Sequence, residues 1–528
     1  MEHKDLIQKG EAVLGIEFGS TRIKAVLIDR KGTPIASGGY GWENSYTDGI
    51  WTYPIEQIHE GLRECYSDLL KDIDEKYGVK PTRFAAIGIS AMMHGYLAFD
   101  GDDNLLVPFR TWRNTITEQA AVELTEKFGY NIPQRWSIAH LYQAILNKEE
   151  HVGRIAFLTT LAGYVHYRLT GKKVLGVGDA SGMFPIDIST GDYDAGMLDK
   201  FRSLAGQPWD IKDILPEVLT AGDDAGCLTA EGAAFLDKTG SLEAGVPVCP
   251  PEGDAGTGMT ATNSVGVRTG NISAGTSVFA MVVLEKELSK VYPEIDLVTT
   301  PDGALVGMVH CNNCTNEINA WVNLFKEYSE LMGQKVDMNE LFTKLYSVAL
   351  SGDKDCGGLL TYNYLSGEPV TGFAKGAPLF ARGPEGRFSL ANVMRANLYS
   401  ALATLKVGLD ILFKQEGVKV DEMLGHGGYF KTEKVGQSIA AAAIDAPVSV
   451  METAGEGGAW GIALLAAYMA DKKEGQSLSD YLAQVIFAGM DVKKLSPDAE
   501  DVAGFEKFME LYRKGLETEK AAADLFAV

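Results

Sequence analysis

Two Gly-hydroxyl-hydroxyl triplets and one aspartate carry most of the chemistry legible in this chain. Gly19-Ser20-Thr21 lies in VLGIEFGSTRIK (residues 13–24) and Gly275-Thr276-Ser277 in GNISAGTSVFAM (residues 270–281). Each triplet sits between two apolar runs, the pattern of a β-hairpin with a tight glycine turn, and the backbone N–H groups and hydroxyls of such a turn suit a phosphate. Two copies half a chain apart predict two related half-molecules serving one nucleotide. Asp254 follows an apolar strand in VPVCPPEGDAGTGM (residues 246–259) and precedes Gly and Ala residues too small to crowd a ligand. A carboxylate there can accept a proton from a hydroxyl. The same position also suits an Asp capping a helix that begins near Gly256, which contributes about 1 kcal/mol and no chemistry. Its place shortly before the second hairpin favours chemistry, because base and phosphate must meet.

The elements that position these residues alternate between strand and helix without long linkers or low-complexity tracts. An apolar run at residues 84–91 ends in a turn at Met92-Met93-His94-Gly95 and restarts as a strand at Tyr96. EMLGHGGYFKTEKVGQSIAAAAIDAPVSV (residues 422–450) reads strand, Gly turn, helix, strand; the missing side chains of Gly427 and Gly428 would let a flat ring or phosphate approach the backbone. GEGGAWGIALLAAY (residues 455–468) places small residues at a helix start, a candidate floor for a nucleotide. Met394, Leu398, Ala401, Leu402, Leu405, Leu409 and Leu412 keep helical spacing, as do Val502, Phe505, Phe508, Met509, Tyr512 and Leu516; core packing explains both stripes.

Composition bounds the function. A chain of 528 residues exceeds what one hydrophobic core usually serves, so two large domains are expected. A formal charge of -23 opposes binding to nucleic acid and to anionic membrane, both of which require a Lys/Arg excess. The first residues lack the apolar core of a signal peptide, and no stretch reads as a membrane span, which makes the cytosol the expected compartment. Six cysteines in so long a chain do not make a disulfide framework. Cys311 and Cys314 form a CxxC beside His310, but without a second such pair they read as reduced thiols rather than a metal site.

Taken in order, these segments resemble the FGGY family of carbohydrate kinases, within the actin-like ATPase superfamily, and most of all its xylulokinase-like members. GIEFGSTRIK is similar to the family's first phosphate segment and GISAMMHG (residues 88–95) to its sugar-contacting turn. HYRLTG (166–171), GDASGMFPIDISTGDYD (178–194), GDAG (253–256), NISAGTS (271–277), YLSGE (364–368) and GHGG (425–428) follow in the family's order. The resemblance implies Asp254 as general base, Met93 and His94 lining the sugar pocket, and Trp112 and Arg113 of FRTWRNT, a loose match, as further sugar contacts. It implies that Ser20, Thr21, Gly275, Thr276 and Ser277 address phosphates, with Lys24 beside them, and that Gly427 and Gly428 lie against the adenosine. Glu17 stands where the family usually has Asp, and would reach Mg²⁺ through a water. Ala255 replaces the Asn that commonly follows the base in xylulokinases.

The fold so implied is α/β: two actin-like (ribonuclease H-like) domains, each a mixed sheet flanked by helices, separated by a cleft. Residues 1–262 would form the mainly sugar-binding domain and residues 263–528 the mainly nucleotide-binding one. The activity so implied is ATP-dependent phosphorylation of a sugar hydroxyl, on xylulose or a related ketose or polyol, with ATP and Mg²⁺ as cofactors; a homodimer is common in such a family. From the residues alone His94 reads as a core histidine, and Lys24 divides evenly between a solvated strand residue and a phosphate contact. An actin-like ATPase acting as regulator or chaperone would share the hairpins but need no sugar-side base.

Overall fold

Strand Val13–Phe18 is buried along almost its whole length because, in this computed structural model, it lies at the centre of a five-stranded sheet. The structure describes residues 2–451, 457–490 and 492–526. Across that sheet the order is Glu252–Gly253, Ala86–Ala91, Val13–Phe18, Arg22–Ile28, Pro34–Gly41. The first three strands are mutually parallel, and the last two fold back antiparallel as a meander from the first hairpin. Helix Ile55–Tyr77 covers one face with Ile58, Leu62, Cys65, Leu69 and Ile73, which recur at helical spacing, and Gly78 closes it in a left-handed turn onto the carbonyl of Asp74.

The other face is covered by a helix from far along the chain, Gly457–Asp471. Three glycines permit its close approach: a Cβ on Gly15 would lie 2.2 Å from the Ala459 carbonyl oxygen, on Gly88 2.6 Å from that of Ile462, and on Gly461 2.1 Å from that of Thr257. Backbone therefore meets backbone where the helix crosses the strands and helix Asp254–Ala261. Contacts group Met1–Val265, Leu297–Val306 and Gly455–Gly489 into this first unit. The excursion at Leu297–Val306 is tied in by Thr299, whose N–H donates to Ser181 Oγ and whose hydroxyl donates to the Val177 carbonyl, each at 3.0 Å.

The second unit comprises Gly266–Asp296, Gly307–Ala454 and Met490–Val528. Its sheet repeats the plan of the first: Val448–Val450, Glu422–His426 and Thr269–Ala274 run parallel, and Val278–Val283 returns antiparallel from the second hairpin. Lys493–Leu495 adds an antiparallel strand outside Val448–Val450. The two hairpins thus hold equivalent places in equivalent sheets. The strand–turn–helix–strand reading holds, with helix Val435–Ile444 between its strands. Helix Leu390–Asp410, capped by the Ser389 side chain accepting from the Asn392 amide, is buried nearly throughout. With its continuation to Gln415 it is long and apolar enough to cross a membrane, but 89% of that window is packed inside the protein, as befits a core helix. Helix Ala499–Phe526 buries Phe505, Phe508, Met509 and Tyr512 of the stripe expected from sequence, with Val502 and Leu516 half-buried at its ends. Of the 455–468 block, Gly455 and Glu456 lie outside the described residues.

Because the Gly461 contact is with main chain, no rotamer change can relieve it. Gly461→Ala is expected to destabilise the protein by about 1–3 kcal/mol, seen as a lowered thermal midpoint. An unchanged midpoint would show that this crossing does not hold the helix.

Candidate active site

Parallel strands of an open α/β sheet deliver their carboxyl ends to one edge, where such folds bind ligands. Three strands of the first unit do so: Val13–Phe18 leads into Gly19-Ser20-Thr21, Ala86–Ala91 into Met92-Met93-His94, and Glu252–Gly253 into Asp254. The segments are fastened together there. The Met92 amide donates to the Phe18 carbonyl at 3.0 Å, and the Met93 amide donates to Asp254 Oδ1 at 3.0 Å.

Asp254 is the first residue of its helix, two residues earlier than the start near Gly256 expected from sequence; the N-cap is Gly253, with no side-chain cap. Its side chain remains exposed to solvent, while the bulk of surrounding protein withdraws enough water to raise its carboxyl above the usual range, against the pull of the Met93, Ala255 and Asp254 amides. It is therefore an accessible carboxylate in a partly desolvated setting, aimed by a main-chain amide.

Behind it stand two acids that the sequence reading did not single out. Asp179, in short helix Val177–Ala180, and Glu252 are both buried. Glu252 accepts from the Gly178 and Asp179 amides at 3.1 and 2.9 Å, and Asp179 Oδ2 accepts from Thr160 Oγ1 at 2.7 Å. Burial pushes Asp179 up to about 8, with the Asp254 charge adding to it, and raises Glu252 likewise, with Asp179 as its charged neighbour. A proton retained on either acid keeps two like charges from facing each other. Their only sequence signal was an acid within each of the GDASG and PPEGD segments.

Glu17 lies in register with Lys24 on one neighbouring strand and Ser90 on the other. Burial and then the Asp254 charge push it up to about 7, while Lys24 and the amides of Ala459 and Gly458 oppose the rise; the Ala459 amide donates to its Oε2 at 3.2 Å. Ser20 and Thr21 occupy the hairpin tip. Every carbonyl there is taken from behind: Gly19 by Trp42 Nε1 at 2.7 Å, Ser20 by the Tyr53 hydroxyl at 2.6 Å, and Thr21 by the Trp42 amide at 3.2 Å.

His94 has φ +68 in the left-handed region, a conformation that a non-glycine residue adopts at some strain. Its ring is buried; Nδ1 pairs with the Gly182 carbonyl at 3.0 Å and Nε2 accepts from Arg135 Nε at 3.2 Å, so it holds the turn. Met93 is buried as well. The 109–113 segment lies alongside through the paired Tyr96 and Arg110 main chains. Trp112 and Arg113 are exposed, and the Arg113 guanidinium rests 3.9 Å over the Trp51 ring.

In the second unit, Thr276 stands exposed at the hairpin tip with Gly275 and Ser277 half-buried beside it. A Cβ on Gly275 or Gly428 would meet nothing within 4 Å. Gly427 differs: with φ +97, its Cβ would lie 2.4 Å from the Ala274 carbonyl, so it packs the turn against the hairpin base. Cys311 and Cys314 are buried free thiols.

A Gly-hydroxyl hairpin in each of two equivalent sheets and an accessible carboxylate at a strand end of the first accord with the class that the comparisons give, an ATP-dependent sugar kinase of actin-like fold. The chain belongs to the FGGY family of carbohydrate kinases: the model of the family's N-terminal domain matches residues 12–260 and that of its C-terminal domain residues 270–470. It is 24% identical over 513 residues to a xylulose kinase of Haemophilus influenzae, covering 94% of this chain and 98% of that protein. Among solved structures it is similar to ligand-bound xylulose kinase and to gluconate kinase, both from Lactobacillus acidophilus. Each has a TM-score of 0.78, at 19% and 20% identity, and each comparison covers 98% of this chain and all of the other.

An acid whose pKa is higher folded than unfolded binds more protons in the folded state between the two values, so stability falls as pH rises through that interval. For Asp179 the interval runs from its ordinary value near 3.8 to about 8. Asp179→Asn should therefore gain thermal stability over the parent as pH rises from 5 to 8. A constant difference in midpoint across that range would refute the buried-charge assignment.

Proposed function

We propose that this kinase transfers the γ-phosphoryl group of ATP to a hydroxyl of xylulose or a closely related ketose or polyol, with Asp254 as general base. The reading is carried by one observation: Asp254 is exposed at a helix start, with its carboxylate oriented by the Met93 amide beside the 92–95 turn. The similarity to xylulose kinases along nearly the whole chain supports the ketose. Equal structural similarity to a gluconate kinase makes an aldonate the comparison substrate of choice. In this reading the first unit binds mainly sugar and the second mainly nucleotide.

The roles follow from charge flow. In a loose phosphoryl transfer little negative charge leaves the acceptor oxygen until late, so a carboxylate serves by position and takes the proton as the new P–O bond forms. Partial desolvation of Asp254 makes it a somewhat better base than in open water. The Ser20, Thr21, Thr276 and Ser277 amides and hydroxyls stabilise the phosphates, and Lys24 adds positive charge. Met93 aims the base through its amide, His94 holds the turn, and Trp112 and Arg113 offer an aromatic and a cationic edge to the sugar. Gly428, with open space over its backbone, takes the adenosine while Gly427 shapes the turn.

Mg²⁺ fits these residues in a restricted way. Among the described residues no group of three or more His, Cys, Asp or Glu side chains is arranged to hold a metal ion. That would suit a cation carried mainly by phosphates and water, with Glu17 reaching it through a water, since Mg²⁺ usually keeps several waters. When bound, it neutralises charge on the transferring phosphates.

Asp254→Asn is expected to bind ADP like the parent and to lose at least about 100-fold in kcat, measured by coupled ADP release over a panel of ketoses, polyols and gluconate. Turnover retained within a few fold would remove Asp254 from the mechanism. Gly275→Ala is expected to leave the thermal midpoint unchanged and to raise the KM for ATP about 10-fold or more, a loss of ~1.4 kcal/mol in binding; an unaltered KM would disqualify that hairpin as a phosphate contact.

A further inference from the structure

The second hairpin is anchored by a chain of hydrogen bonds that leads away from it into the interior of its unit. The Gly275 carbonyl accepts from the Thr315 amide at 3.1 Å and from Thr315 Oγ1 at 2.7 Å, and the Thr276 carbonyl accepts from the Cys314 amide at 3.0 Å. The segment supplying those donors is itself held by Glu368, which is fully buried. Glu368 Oε1 accepts from the Asn312 amide at 3.3 Å; Oε2 accepts from the Asn313 amide at 3.2 Å and from Asn313 Nδ2 at 3.1 Å. Asn313 Oδ1 in turn accepts from the Leu365 and Ser366 amides at 2.9 and 3.1 Å, and Asn363 Nδ2 donates to the Cys314 carbonyl at 2.9 Å. The CxxC and the YLSGE segment, neither of which the proposed reaction uses, are thus two halves of one bracket.

We propose that Glu368 is a positioning residue for nucleotide: its carboxylate fixes Asn312 and Asn313, and through Cys314 and Thr315 it holds the Gly275 and Thr276 carbonyl oxygens back from the phosphates. This rests on the reading of that hairpin as a phosphate contact. A carbonyl oxygen swung toward a triphosphate would repel it, whereas one tied from behind leaves amide and hydroxyl dipoles to face the ligand. Both oxygens of Glu368 are acceptors, so an amide cannot replace the carboxylate: one end of Gln would present N–H to an N–H. Loss of the bracket in a folded protein should therefore act on nucleotide affinity.

The bracket also carries a pH dependence. Burial pushes Glu368 up to about 7 against the Asn313, Asn312 and Val370 donors. The titratable groups facing it, Cys311 and Tyr364, are both raised by burial and stay neutral there. Protonation as pH falls below about 7 removes an acceptor and should loosen the hairpin.

The test is calorimetric titration of the full chain with Mg·ADP at pH 6 and pH 8, with thermal midpoints recorded alongside. Glu368→Gln is expected to weaken ADP binding about 10-fold at pH 8 and to abolish the parent's extra loss of affinity at pH 6; the protonation of ADP itself is common to both and cancels. Thr315→Val should weaken binding several-fold and Thr315→Ser should restore it, which keeps the test open if Glu368→Gln does not fold. ADP affinity within twofold of the parent in folded Glu368→Gln, or in Thr315→Val, would overturn the proposal, as would a pH dependence that the Gln variant leaves unchanged. Gly275→Ala in the same titration separates the two readings. If it binds ADP like the parent, the hairpin is not a phosphate contact; if it is weakened while the bracket variants are not, the bracket alone fails.

Discussion

A turn offered to a polyphosphate carries its own opposition: every amide that attracts the ligand is covalently joined to a carbonyl that repels it. On the proposed reading of the hairpins as phosphate contacts, both units meet this constraint in the same way. Around Gly19-Ser20-Thr21 the carbonyls are consumed by Trp42 and Tyr53; around Gly275-Thr276 they are consumed by Cys314 and Thr315. The donors differ in kind, an indole and a phenol against main chain and a threonine, yet the result is the same polarity at the tip.

The duplicated sheet places the active groups. In each unit the hairpin's first strand is flanked on one side by a parallel strand whose carboxyl end carries a turn: Met92-Met93-His94 in the first unit, Gly427-Gly428 in the second. The turns stand at corresponding points, but their chemistry has diverged. The first aims a main-chain amide at Asp254; the second presents open space over Gly428. One topology thereby supplies an oriented, accessible carboxylate in one unit and a bare backbone surface in the other.

Features written in consecutive residues were legible: both hairpins, the strand–turn–helix–strand unit, the buried helical stripe, and Asp254 at a strand end. Those that depend on which strands become neighbours were not. Trp42 and Tyr53 lie 20 or more residues past the carbonyls they bind, and Glu252 looks like any acid before a helix until the Gly178 and Asp179 amides close on it. Gly427 and Gly428 look alike in sequence, and only the third dimension separates a glycine required by the Ala274 carbonyl from one with open space beside it. Likewise, a contiguous split at 262/263 follows chain order, whereas the grouping of Gly455–Gly489 with the first unit rests on glycine-mediated contacts invisible before folding.

On the proposed reading of Asp254 as general base, the acids around it bear on how a weak base works. Near its ordinary value a carboxylate is a poor proton acceptor. Asp179 and Glu17, both coupled to Asp254, sit where each added negative charge makes another proton more welcome. The ionised Asp254 thus raises the proton affinity of both neighbours, while its own rise comes from desolvation. On that reading, a cluster ionised throughout would repel the phosphates of the donor nucleotide. Protons held on Asp179 and Glu252, both pushed up by burial, limit that repulsion, while the Met93, Ala255 and Asp254 amides pull against the rise at Asp254 and favour its ionised form, the form a general base requires.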